Sequence, residues 1–188
     1  MISAPENFPQ FTPLEYLEWE EQQELRHEFV DGIIRAMPSE TVDRDRLATN
    51  LRTILQNHLQ STVCRVLDAN IKVQIMESNS FLCPDVSVTC DVQDRSANKF
   101  ITHPCLIVEV LSPNTETDDR SDKFALYRCS TSLQEYMLVR IDTIRLDVHQ
   151  RNESGGWEFS SYEAGDVVEL KSVNFNLEID RVYEDYDY

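Results

Sequence analysis

Basic residues are scarce in this chain of 188: 17 lysines and arginines stand against 34 aspartates and glutamates, a formal charge of −17. A uniformly acidic surface repels nucleic acid, whose binding rests on neutralising phosphates, so composition by itself argues against a nucleic-acid enzyme. Long apolar runs are missing as well. None approaches the roughly 20 residues that a membrane-spanning helix needs. The opening stretch MISAPENFPQF lacks a basic segment followed by an apolar one, so no secretory signal is expected and a cytoplasmic location is. The five cysteines, Cys64, Cys83, Cys90, Cys105 and Cys129, contain no C-x-x-C pair. An odd set without metal-type spacing reads as reduced thiols behaving as small hydrophobes. Internal repeats and low-complexity linkers are absent too, which leaves one domain over residues 1–188 as the expectation.

The acidity that is there is unevenly placed. Residues 1–40 hold nine acids and two bases, and residues 152–188 hold ten and two. The middle, 41–151, holds fifteen acids and thirteen bases and is nearly balanced. Hydrophobic residues at 41% and charged residues at 27% are ordinary for a globular chain that buries a core.

Local patterns predict the elements. Thr12-Pro13-Leu14-Glu15 has the form of a helix start, with a threonine cap, proline at the first helical position and a glutamate three residues on. Asp31-Gly32 between HEFV and IIRAM signals a hairpin. Leu47, Leu51, Ile54, Leu55 and Leu59 recur at helical spacing over 43–59. Strands are expected at 64–68, 70–76, 84–89, 105–111, 135–140, 143–150 and 157–162. A helix is expected over 121–129, and 167–173 and 175–183 close the chain. CLIVEVL is almost wholly apolar, as a central strand covered on both faces would be. Helices standing before and between the strands make the fold class α/β with a mixed sheet.

One residue breaks CLIVEVL: Glu109. An ionised carboxylate inside an apolar strand is costly unless it is paired or bound to metal. Asp85 opens the preceding strand, just after Pro84, and neighbouring strands would bring the two carboxylates to one side of the sheet. Two such groups repel, and Mg²⁺ or Mn²⁺, which take oxygen ligands, would relieve them. Glu28, ahead of the first hairpin turn, is a third candidate. Lys123, at the start of the helix after CLIVEVL, could orient a water or stabilise phosphoryl charge, with Lys72 as a competitor.

Together LRHEFVDGIIRAM, PDVSV, PCLIVEVLSPNTETDDRSDKFALYR and LQEYMLV resemble the Uma-two family (domain of unknown function 820) within the PD-(D/E)XK restriction-endonuclease-like superfamily. The resemblance covers about residues 10–185. It implies a restriction-endonuclease-like core, a mixed central β-sheet flanked by α-helices. It also implies a metal-dependent endonuclease in which Asp85 and Glu109, with the backbone carbonyl of Val110, hold Mg²⁺, and in which Glu28 matches a glutamate of the early hairpin. Nucleic acid, DNA first, would be the substrate, and the superfamily's habit implies a homodimer. The chain departs from the pattern at two places. Leu111 stands where the lysine of the ExK motif falls, so Lys123 is expected to replace it. Arg44-Asp45-Arg46 stands where relatives carry a His-Asn pair.

Two rival readings follow. One is a catalytically silent binding or assembly module that keeps the nuclease fold, favoured by Leu111 and the acidic composition. The other, a hydrolase using Cys83 or Cys105 as nucleophile, has only His103 nearby in sequence to serve it. Arg44, Arg46 and Arg52 lie along one helix and are candidates to meet a phosphate backbone. Because the acidity is terminal, it does not exclude a nuclease; it predicts weak, salt-sensitive affinity for nucleic acid or reliance on a basic partner.

Overall fold

The computed structural model describes residues 11–37, 39, 41–111 and 122–186. The chain opens with α1 (Pro13–Glu20), and Thr12 caps it as the sequence predicts: its hydroxyl accepts from the Glu15 N–H, while the Glu15 carboxylate accepts from the Thr12 N–H at 2.8 Å. β1 (His27–Val30) and β2 (Ile33–Ala36) form the expected hairpin. Asp31 and Gly32 both take positive φ, +50° and +82°, the pair of left-handed residues that a two-residue turn of this hand requires. Next come α2 (Val42–Leu59), β3 (Arg65–Asp68), β4 (Lys72–Ile75), β5 (Ser80–Leu82), β6 (Val86–Thr89), β7 (Phe100–Ile101) and β8 (Pro104–Leu111). The remainder comprises α3 (Phe124–Tyr127), β9 (Glu135–Arg140), β10 (Arg145–Arg151), β11 (Trp157–Glu163), β12 (Val167–Leu170), β13 (Phe175–Glu178) and α4 (Ile179–Val182).

The strands build two mixed sheets and a separate β12–β13 ribbon. Six strands run in the order β11-β10-β9-β8-β6-β3, antiparallel except for the parallel β8–β9 pair. Five more run β2-β1-β5-β4-β7, with β4–β7 parallel. β8 lies between β6 and β9, which is why its sequence is apolar throughout. Leu106, Val108 and Val110 pack under α2 against Leu47, Leu51 and Leu55. Ile107 and Leu111 face the opposite way, toward Val73, Ile75 and Leu82 of the second sheet and Tyr127, Tyr136 and Leu138. Period-2 alternation therefore sends Glu109 into the space between the two sheets.

The mixed sheet of an α/β fold is present, but helix covers one face of it and a second sheet covers the other. Two short strands, β5 and β7, were not predicted: three and two residues give too little alternation to register. The helix predicted over 121–129 is regular only from Phe124 to Tyr127. Residues 112–121 of the stretch that leads into it lie outside the described residues.

The cysteine reading is corrected. Cys64 and Cys90 form a disulfide, leaving Cys83 buried, Cys105 half-buried and Cys129 exposed as thiols. Arg65 pairs with Thr89 in the β3–β6 ladder, so residues 64 and 90 stand at matching strand ends. Sheet register, not sequence spacing, makes the pair, and the cysteines no longer speak for a reducing compartment. No described helix is long and apolar enough to cross a membrane.

Candidate active site

All four side chains predicted from the sequence, Glu28, Asp85, Glu109 and Lys123, meet in the region between the sheets. β6 and β8 are antiparallel neighbours, with Val86 opposite Val108, and this register brings Asp85, just ahead of β6, beside the far end of β8. There the Val110 N–H donates to Asp85 Oδ2 at 2.6 Å. Glu28 comes from the other sheet: in β1, Phe29 packs into an outer aromatic cluster with Tyr16 and Phe81, and the alternate residue Glu28 turns inward. The Cys83 N–H donates to Glu28 Oε1 at 3.0 Å. Lys123 precedes α3 and places its Nζ 3.0 Å from Glu28 Oε1 and 3.4 Å from Glu109 Oε1, tying the two sheets together. Glu109 is fully buried, Asp85 is 5% exposed and Glu28 8% exposed.

Two further residues belong to the site and were not assigned to it from the sequence. Tyr127, one helical turn beyond Lys123, donates its hydroxyl to Glu109 Oε1 at 3.2 Å. Arg44, a sequence candidate to meet a phosphate backbone, is buried instead, 4% exposed. Its Nε lies 3.1 Å from Asp85 Oδ1 and 3.2 Å from Oδ2, its Nη2 lies 3.0 Å from Oδ2, and that same Nη2 is 3.9 Å from Glu109 Oε2. The signal was in the helix pattern: position 44 continues the 47-51-55 stripe inward by one turn, so an arginine there had to be buried and partnered.

The other arginines of α2 do not form a phosphate-facing row with it. Arg46 donates to the Asp185 carbonyl, and Arg52 pairs with Asp68 at 2.7 Å. Lys72 is likewise not at the site. It pairs with Glu20 at 3.1 Å and lies over the Tyr16 ring, leaving Lys123 as the lysine beside Glu109. Leu111, at the place of the missing motif lysine, is buried against the second sheet. Cys83 is also unsuited to nucleophilic work, since burial pushes its thiol up to about 12.

Charge is tightly managed here. Burial raises the Asp85 carboxyl above its ordinary value, and the opposing pull of Arg44, the Val110 N–H and Lys123 does not cancel that. Tyr127 is pushed well above the usual phenol range by burial and by Glu109, so it stays a proton donor. A cavity of about 160 Å³ reaches Asp85 from outside, with Arg26, Arg52, Asp45, Thr49 and Asp68 in its wall. In donor chemistry the three carboxylates suit a hard divalent cation. As they stand, no three acidic, histidine or cysteine side chains among the described residues converge closely enough to hold one, and Arg44 takes up Asp85.

A two-sheet α/β fold with buried carboxylates beside a lysine is the architecture of a restriction-endonuclease-like protein, and comparison with known proteins agrees. Residues 13–181 match the model of the Uma2 family, described as "Putative restriction endonuclease". The chain belongs to that family. An uncharacterized protein of Synechocystis sp., slr1290, is 43% identical over 181 residues, covering 96% of this chain and 94% of the relative. A second from the same organism, sll1609, is 31% identical over 148 residues, covering 78% and 84%. In fold the chain is similar to a crystal structure from Anabaena variabilis described as "a putative nuclease belonging to DUF820". The TM-score is 0.75 at 17% identity, over 93% of this chain and 98% of that one.

Proposed function

We propose that this protein is a divalent-metal-dependent endonuclease that hydrolyses phosphodiester bonds of nucleic acid, DNA first. The observation that carries the reading is the convergence of Glu28, Asp85, Glu109 and Lys123, from four separate segments, on one buried spot beside a cavity open to solvent. Asp85 and Glu109 would hold Mg²⁺ or Mn²⁺ together with the Val110 carbonyl. In an antiparallel ladder a residue directs its N–H and C=O to the same neighbouring strand, so the Val110 N–H on Asp85 supports a carbonyl on that side. Such an ion, when bound, polarises a phosphate oxygen and acidifies a water.

The protein's own groups do the rest. Lys123, held between Glu28 and Glu109, orients the attacking water and stabilises the negative charge that builds on phosphorus. Glu28 fixes that ammonium while itself anchored by the Cys83 N–H. Tyr127 keeps Glu109 in place from the side of the second sheet. Arg26 in the cavity wall supplies positive charge where a phosphate would approach, against the acidic background of the termini.

The reading is tested by incubating plasmid DNA with protein and Mg²⁺ or Mn²⁺. Cleavage is expected from the wild type and not from Asp85→Ala or Glu109→Ala, both still folded by circular dichroism; equal cleavage by all three defeats the assignment. The rival, a silent binding module, is favoured by one observation, the Arg44 guanidinium on Asp85. Divalent binding that is absent, or indifferent to Asp85→Ala, would support it.

A further inference from the structure

Arg44 takes up the carboxylate that a metal ion would need. A carboxylate offers about four lone-pair sites. On Asp85, Arg44 Nε reaches both oxygens, its Nη2 reaches both at 3.0 Å, and the Val110 N–H takes Oδ2. The same Nη2 is the cationic group nearest Glu109 Oε2 among the contacts described, at 3.9 Å. A divalent ion bound through oxygens at about 2.0–2.1 Å would have to enter this space against a full positive charge. In a buried site like charges that close repel strongly, and there is no bulk water to screen them.

We infer that Arg44 is a resident counter-cation that a divalent ion must displace from Asp85, so that metal loading and the Arg44–Asp85 ion pair exclude each other. The inference rests on the metal reading proposed above. It gives Arg44 a definite role: it offsets the buried Asp85 carboxylate in the metal-free protein and sets the concentration of metal at which the site fills. An arginine suits this, because its long side chain leaves by rotation about its own bonds with α2 staying in place. The cavity beside Asp85 carries Asp45 in its wall, a carboxylate that can receive the released guanidinium. A net stabilised cation is exchanged for a stronger one, and the affinity for metal is lowered by the work of that exchange.

Titration calorimetry with MnCl₂ on the wild type, Arg44→Gln, Asp85→Asn and the double variant tests this. Arg44→Gln is expected to bind Mn²⁺ about tenfold or more tightly than the wild type, within the usual span of such couplings. Both proteins should lose that binding on Asp85→Asn. Equal affinity in the wild type and Arg44→Gln, both dependent on Asp85, overturns the exclusion and leaves the metal reading standing. Weaker binding in Arg44→Gln also overturns it, since Arg44 would then be assisting the ion. Binding that is absent from every protein, or present but indifferent to Asp85→Asn, removes the metal reading itself. Should Arg44→Gln not fold, the wild type decides alone: the Arg44 Nε–H resonance, protected by Asp85, must shift and lose its slow hydrogen exchange as Mg²⁺ saturates. A resonance unchanged at saturation overturns the inference.

Discussion

Buried carboxylates occur in two kinds of surroundings in this molecule. Asp94 and Glu135 sit in cages of fixed donors. The Thr102 and His103 N–H groups each reach Asp94 at 2.9 Å, joined by the Thr89 and Thr102 hydroxyls. Glu135 takes the Lys171 and Ser172 N–H groups, the Ser172 hydroxyl and the Gln150 amide. Asp85 and Glu109, by contrast, are met chiefly by the ends of long side chains, Arg44, Lys123 and Tyr127. The outcomes differ in sign. Burial alone would raise the Asp94 carboxyl, yet its hydrogen bonds outweigh that and hold it below its ordinary value; at Asp85 burial prevails and the carboxyl is raised. Backbone donors cannot leave, so the first pair is structural. Side-chain partners can be exchanged for another cation, as the proposed metal reading of Asp85 and Glu109 requires.

The comparison breaks most sharply at Arg44. Removing it alone, as Arg44→Leu, leaves a buried charge without its counter-ion and should cost about 3–5 kcal/mol. The double change Arg44→Leu/Asp85→Val removes both charges and should cost far less, or nothing, in denaturant unfolding. Similar losses for both would mean that packing, not charge, holds α2 there. Of similar size is Glu135→Leu. It leaves the Lys171 and Ser172 N–H groups unsatisfied, at about 1–3 kcal/mol each, and should leave Mn²⁺ affinity unchanged. A metal effect there would blur the division drawn above. The smallest effect is in acid. A carboxyl held below its unfolded value adds stability above that value, 3.8, and loses it as pH falls through its lower folded value. Stability should therefore decline below about pH 4 in part through Asp94, and Asp94→Asn should flatten that part of the profile.

Much of the site was legible because charge in the wrong place is a loud signal. A glutamate inside CLIVEVL and an aspartate at a strand start drew notice by their cost, and register brought them together. Lys123 was separable from Lys72 only once Glu20 was seen to pair with the latter. Arg44 was grouped with Arg46 and Arg52 as a candidate to meet phosphate, although only 44 lies on the line of Leu47 and Leu51. The second sheet was the harder matter. β5 and β7 together have five residues, and their pairing depends on partners far away in sequence, which no local pattern carries. The Cys64–Cys90 bond was hidden for the same reason.

Neither sheet holds the whole site. Glu28 comes from β1, Asp85 and Glu109 from the ladder of β6 and β8, Arg44 from α2 and Lys123 from the turn into α3. The parts span almost a hundred positions of chain, and pairing across such separations is slow to form. A growing chain on the ribosome, or one that has lost the docking of its two sheets, carries every proposed reactive group and no assembled centre. The joint between the sheets is therefore also a checkpoint in time: the proposed centre exists only once the fold is complete.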